Sequence, residues 1–213
     1  MKNKNNALRA LSLVALLCTV ATLVCSCAKG NKFVSEGADF KDKKTKVSYA
    51  YAPACYEPIE RGEEIYGQTK TVTFYEIKGQ DPLKLICEEN GTVFYAENNP
   101  LPTLDKMNIS YIDICTETSS VSVKKKIEAS EDISSVIENY TLAENLYYGA
   151  TPPALTYKIR FADTTLGIYY SVVFIRYSEN YLDCGKDFIY NRFEGKFSPA
   201  PETLVNYINE LEK

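Results

Sequence analysis

Histidine is absent from this 213-residue chain, and cysteine occurs seven times. Any chemistry must therefore come from thiols, carboxylates, lysines and tyrosines. The missing imidazole excludes Ser-His-Asp and Cys-His catalysis, His-ligated zinc and the usual general base near neutral pH. Four thiolates can hold zinc, but their sign is paired Cys-x-x-Cys spacing, and no such pair occurs. Beyond the N-terminal apolar run stand Cys55, Cys87, Cys115 and Cys184. In an oxidising compartment they could form disulfides with three connectivities. Cys55 and Cys184 lie beside Pro and Gly turns and are the candidate pair, whereas Cys87 and Cys115 sit in apolar runs and read as buried small hydrophobes. A nucleophilic Cys needs an activating charge. Lys186 near Cys184 offers thin support for one.

Three acidic pairs occur, Glu63-Glu64, Glu88-Glu89 and Glu131-Asp132. A glycosidase needs two carboxylates held across a cleft, which sequence neighbours do not supply. The last pair is better explained by a helix N-terminus, the others by solvated turns. Tyrosine is the remaining resource, with 17 copies against no Trp. Tyr49, Tyr51, Tyr56 and Tyr66 cluster around Pro53 and Pro58 and are candidate binding residues, since exposed Tyr anchors protein partners and stacks on sugars. The plainer reading is half-buried strand residues. No residue is assigned a catalytic role, and no metal or cofactor is expected.

The N-terminus says where these groups work. Met1 to Arg9 carries Lys2, Lys4 and Arg9 and no acid, and Ala10 to Ala28 carries no charge. A charged start, an apolar run and small residues at its end describe a secretory signal peptide, expected over residues 1–26. Val24-Cys25-Ser26-Cys27 resembles the lipobox of bacterial lipoproteins: aliphatic, variable, small, then Cys. By that resemblance Cys27 becomes the mature N-terminus and carries a diacylglycerol (the palmitate-type modification of such proteins), with Cys25 on the discarded side. Two acyl chains hold a protein on a bilayer at roughly 0.8 kcal/mol per buried methylene. An uncleaved span over Ala10–Ala28 is the alternative, weakened by Ser12, Thr19, Thr22 and Ser26. Either way the rest faces away from the cytoplasm, at the cell membrane or, in a Gram-negative source, the outer membrane.

The elements positioning these residues are mostly strands. Residues 27–46 are polar, with Gly30 and Gly37, and read as a flexible tether. The mixed-charge Lys41–Lys46 run belongs to it as a solvated stretch. Thr71 to Ile77 reads as a strand. Leu83 to Tyr95 reads as a hairpin about Asn90-Gly91, its two-residue turn placing Cys87 opposite Phe94. Asn98 to Pro102 breaks the chain between a β-rich part, 47–105, and an α+β part, 106–213, or 47–213 forms one domain. In the second part Ile109–Thr116 and Val121–Ile127 read as strands. A helix capped by Ser130 follows, with apolar positions from Ile133 to Tyr147. Leu155, Tyr157, Ile159 and Phe161 alternate with polar residues, and Leu166–Tyr177 is apolar on both faces, as in a central strand. A last helix starts with Pro201 at its first position.

This order predicts an α+β fold, a mainly antiparallel sheet with two helices packed on one face. The helix after Ser130-Glu131-Asp132-Ile133, the strand at Tyr157 and the ending Phe188–Phe197 together resemble small domains of uncharacterised lipoproteins of Gram-positive bacteria. With the leader removed, 21 basic and 28 acidic residues remain, a net charge of −7. That argues against nucleic acid, which needs a basic patch. The expected function is a lipid-anchored, extracytoplasmic, non-catalytic binding or interaction module, whose partners are the membrane and an envelope protein, peptide or glycan. The alternative is a His-independent envelope hydrolase using carboxylate, Tyr or Lys groups.

Overall fold

The computed structural model describes residues 30–37, 39–117, 121–147, 152–180 and 185–213. The signal peptide, Cys25, Cys27 and Cys184 lie outside them. In chain order the strands of the first half are β1 (Asn31–Glu36), β2 (Asp39–Asp42), β3 (Ser48–Tyr51), β4 (Tyr56–Pro58), β5 (Arg61–Gln68), β6 (Thr73–Ile77), β7 (Leu85–Glu88) and β8 (Val93–Ala96). All but β4 close into a barrel in the order β1-β2-β3-β8-β7-β6-β5. The closing pair is parallel, with Asn31 opposite Gly67 and Lys32 opposite Gln68.

This corrects the expected fold class. The protein is mostly β, a closed barrel joined to a second sheet, not an open antiparallel sheet with helices on one face. It also corrects the tether over 27–46, because residues 31–36 and 39–42 are the barrel's first hairpin. Only alternate positions of that hairpin face inward, where Phe33, Phe40 and Asp42 lie. The polar residues between them face out, so the average composition reads as a linker.

A small barrel is filled by side chains. Here Phe33, Phe40, Phe74 and Phe94 do so, with Phe74 centred 4.7 Å from Phe33, 4.9 Å from Phe40 and 5.5 Å from Phe94. Tilted and edge-on ring packing of this kind suits the aromatic quadrupole. Phe74, Ile86, Phe94 and Ala96 point into the barrel, while Ile77, Leu85, Cys87 and Val93 point out of its wall into a larger core. Strands β6 to β8 are thus buried on both faces. Gly67 in β5 permits the closure: a Cβ there would lie 2.2 Å from the Phe33 ring and 2.9 Å from the Asn31 carbonyl oxygen.

The β7–β8 hairpin is one residue out of the expected register. Cys87 lies opposite Val93 and Ile86 opposite Phe94. The Gly91 N–H donates to the Glu88 carbonyl, and Glu88 N–H donates to the Thr92 carbonyl. The loop therefore holds three residues, with Gly91 at φ +88°. Asn-Gly serves a type I turn followed by a glycine bulge here, rather than a two-residue turn. Side-chain period two means that the slip decides which residues face the barrel interior.

The second half supplies β9 (Tyr111–Thr116), β10 (Val123–Ile127), α1 (Ser130–Leu142), β11 (Leu155–Asp163), β12 (Ile168–Arg176), β13 (Asp187–Asn191), β14 (Lys196–Pro199) and α2 (Glu202–Leu211). Its antiparallel sheet runs β10-β9-β11-β12-β13-β14, and β4 pairs with the first part of β12. One sheet face, including Ile112, Ile159, Phe161 and Phe174, shares its core with Ile133, Val136 and Tyr140 of α1, Leu204 and Ile208 of α2, and the barrel wall. The helix boundaries differ slightly from expectation. Ala129, not Ser130, is the N-cap of α1, and Pro201 is the N-cap of α2 rather than its first residue. The first helix stops at Leu142, so Tyr147 is 82% exposed. Beyond it the Leu146 N–H donates to the Phe197 carbonyl at 2.6 Å, and Leu146 packs on Phe188 and Phe197. Pairing with the β14 edge outweighs another helical turn. No α1 residue supplies a base in its last turn; Lys196 does so from β14, donating to the Tyr140 and Thr141 carbonyls at 2.7 and 3.3 Å.

Candidate functional site

The structure separates the four candidate tyrosines. Tyr49 is fully buried in the barrel, and its hydroxyl donates to the Pro82 carbonyl at 2.8 Å. Tyr66 is half-buried, its hydroxyl 3.3 Å from Asp42 Oδ2. Tyr56 stands in the large core against Tyr170 and donates to the Pro102 carbonyl at 2.8 Å. Burial pushes the pKa values of Tyr49, Tyr56 and Tyr66 up. Only Tyr51 is broadly exposed, at 47%. Tyr49 and Tyr51 share one face of β3, so their place along the strand separates them: Tyr49 is enclosed in the barrel, whereas Tyr51 ends the strand, edge-on to Phe94 at 5.7 Å; Tyr56 projects from β4 into the large core.

Cys55, Cys87 and Cys115 are buried free thiols. Burial raises Cys55 to about 12, with help from the Glu194 charge, and Cys87 to about 11. Cys115 is also raised by burial. Such thiols stay protonated near neutral pH, and Cys184, the expected partner of Cys55, lies outside the described residues. Among the described residues no group of acids and thiols is placed to hold a metal ion, and no helix is long and apolar enough to cross a membrane.

The residues that do converge come from β4, β9, β11 and β12. Register aligns Asp113, Arg160 and Ser171 across three strands, with Glu57 on β4 opposite Tyr169. Lys158 Nζ pairs with Glu57 Oε1, and Arg160 Nε lies 3.8 Å from Glu57 Oε2. The Arg160 guanidinium covers the Tyr169 ring at 3.6 Å, and the Tyr169 hydroxyl donates to Asp113 Oδ2 at 3.2 Å. Burial and the hydrogen bond with Tyr111 raise the Tyr169 pKa. A buried carboxylate of this kind costs free energy unless paired, and here the Tyr169 phenol satisfies Oδ2 while Oδ1 has no hydrogen-bond partner.

Beside this network a groove runs where barrel and sheet meet. Two adjoining cavities of about 280 and 420 Å³ share Ala54, Glu57, Val121 and Lys158. Ser171, Val173 and Phe193 line the first, and Tyr51, Pro58 and Gly91 the second. Ser171 Oγ is buried without a hydrogen-bond partner. Three exposed apolar side chains border the groove: Tyr51, Val121 at 44% and Phe193 at 53%. Of the sequence candidates, Tyr51 and Tyr56 line it directly, as does Cys55. Sequence reasoning missed Glu57, Lys158, Ser171 and Phe193. One signal was present: Asp113 interrupts an apolar strand, and a buried carboxylate requires a nearby donor, which Tyr169 of β12 supplies. Comparison of the chain with protein-family models, curated protein sequences and solved structures finds no match.

Proposed function

We propose that the protein is a lipid-anchored, extracytoplasmic interaction module, held to the membrane through Cys27, that binds an extended segment of an envelope protein in the barrel–sheet groove. The single observation that carries the binding reading is the groove itself, where Tyr51, Val121 and Phe193 stand exposed around the Glu57–Lys158 pair. Aromatic anchors beside charges of both signs match the chemistry of a polypeptide, whose side chains alternate along an extended strand. The Val24–Cys27 lipobox supports the anchor.

The test places a photo-crosslinking amino acid at Tyr51, Phe193 and, as a remote control, Leu83, which is also exposed. Crosslinking in intact cells should trap one discrete protein from the two groove positions and not from Leu83, and Lys158→Glu should abolish it. Equal trapping from Leu83, or none from the groove, refutes the reading. Cys27→Ser should release the protein from membranes; retention at the size of the uncleaved precursor replaces lipidation with an uncleaved span.

A further inference from the structure

The barrel mouth holds a second surface with a different chemistry. Its cavity, about 680 Å³, is lined by β1, the end of β2 and the β5–β6 turn. Phe40, Val34 and Val72 supply partly buried apolar surface, and Lys32, Lys43 and Lys70 stand exposed around it. No carboxylate lines it, and none of these three lysines forms an ion pair among the described residues. The acid nearest in the chain, Asp42, is buried within the barrel and held by four hydrogen-bond donors, and Glu36, on the same face of β1 as Lys32, lies 3.8 Å from Lys41.

Chain length decides what this mouth meets. Because β1 begins at Asn31, only four residue steps separate it from Cys27. Even fully extended they span at most about 14 Å. A long tether would let the domain roam; this one cannot. Resting on the proposed lipidation of Cys27, we infer that the barrel mouth docks on the bilayer, with Lys32, Lys43 and Lys70 set against anionic phospholipid headgroups. The charges match, since each lysine near an anionic surface is attracted to it over about a Debye length. The apolar floor adds contact at the interface without inserting a helix.

Purified full-length protein in vesicles tests this. A membrane-impermeant amine reagent is applied to protein in phosphatidylglycerol–phosphatidylcholine vesicles, in pure phosphatidylcholine vesicles and in detergent, and modification of each lysine is read by peptide mass. The mass of the Cys27 peptide is read in the same run. Docking predicts that Lys32, Lys43 and Lys70 react roughly fivefold or more slowly in the anionic vesicles than in the other two conditions. Exposed Lys106 and Lys124 should react alike in all three. If Cys27 carries its lipid and the three lysines react as fast as Lys106, docking is refuted while the anchor stands. Equal protection in both vesicle types refutes the electrostatic basis. A Cys27 peptide without lipid overturns the anchor, and docking with it.

Discussion

Asp42 gives the sharpest test that residues read as a tether are part of the barrel. It ends β2 and is fully buried. Its Oδ2 accepts from Asn31 Nδ2 at 2.7 Å, Thr45 Oγ1 at 2.8 Å and the Tyr66 hydroxyl at 3.3 Å, and its Oδ1 accepts from the Lys44 N–H at 2.8 Å. One carboxylate thus joins the start of β1, the β2–β3 turn and β5, which are the parts that close the barrel. Asp42→Ala leaves four donors without it. A hydrogen bond to a charged group contributes about 1.5–3 kcal/mol, and the partly exposed donors recover some of this from water. The expected loss is about 3 kcal/mol, which corresponds to roughly 6–12 °C in Tm for a chain of this size. Asp42→Asn keeps one acceptor oxygen but turns an NH2 toward existing donors, and should lose about half as much. Urea unfolding of the full chain measures both, and hydrogen exchange at the β1 and β2 amides shows where the loss falls. If Asp42→Ala costs under about 1 kcal/mol, or leaves exchange in β1 and β2 unchanged, the carboxylate does not close the barrel and the reasoning fails.

Gly67→Ala puts a methyl 2.2 Å from the Phe33 ring and against the Asn31 carbonyl, so it should destabilise by about 2 kcal/mol or more and loosen the β1–β5 pair, as read by urea midpoint. Lys196→Met removes the donor to the Tyr140 and Thr141 carbonyls at the end of α1 and should cost about 1 kcal/mol, read by thermal unfolding; an unchanged midpoint disproves the capping role. Stability should also fall in alkali. Burial raises Cys87 to about 11 and Cys55 to about 12, so the unfolded thiols ionise first, from about pH 9, while the native ones keep their protons. The contribution is complete below pH 9 and is lost as pH rises through 11 and 12. Urea midpoints at pH 8, 9.5 and 10.5 should decline, less steeply in Cys87→Ala; a midpoint that does not decline contradicts the assignment.

Much of the local structure was legible. The Tyr157 alternation, the two-sided apolar run of β12 and the Thr71–Ile77 strand all correspond to observed strands, because period and turn chemistry act between near neighbours. Helix starts moved by a residue where no side chain caps them, and α1 ends at Leu142, five residues short of the expected Tyr147. The groove was only partly legible. Tyr51 was picked out by its type, but Glu57 and Lys158 are about 100 positions apart, and nothing local joins them.

Composition and short-range pattern set the exclusions, the expectation of an export signal ending before Cys27, and the positions of most strands. Tertiary structure decided the barrel, the face each tyrosine presents and the groove. The reason is that closure rests on a long-range pairing, Asn31 with Gly67, whose free energy comes from burying Phe33, Phe74 and Phe94 together, while Tyr56 with Tyr170 joins β4 to the second sheet. A polar hairpin becomes a barrel wall only when those rings meet. The same event turns residues that read as a tether into strands of the barrel.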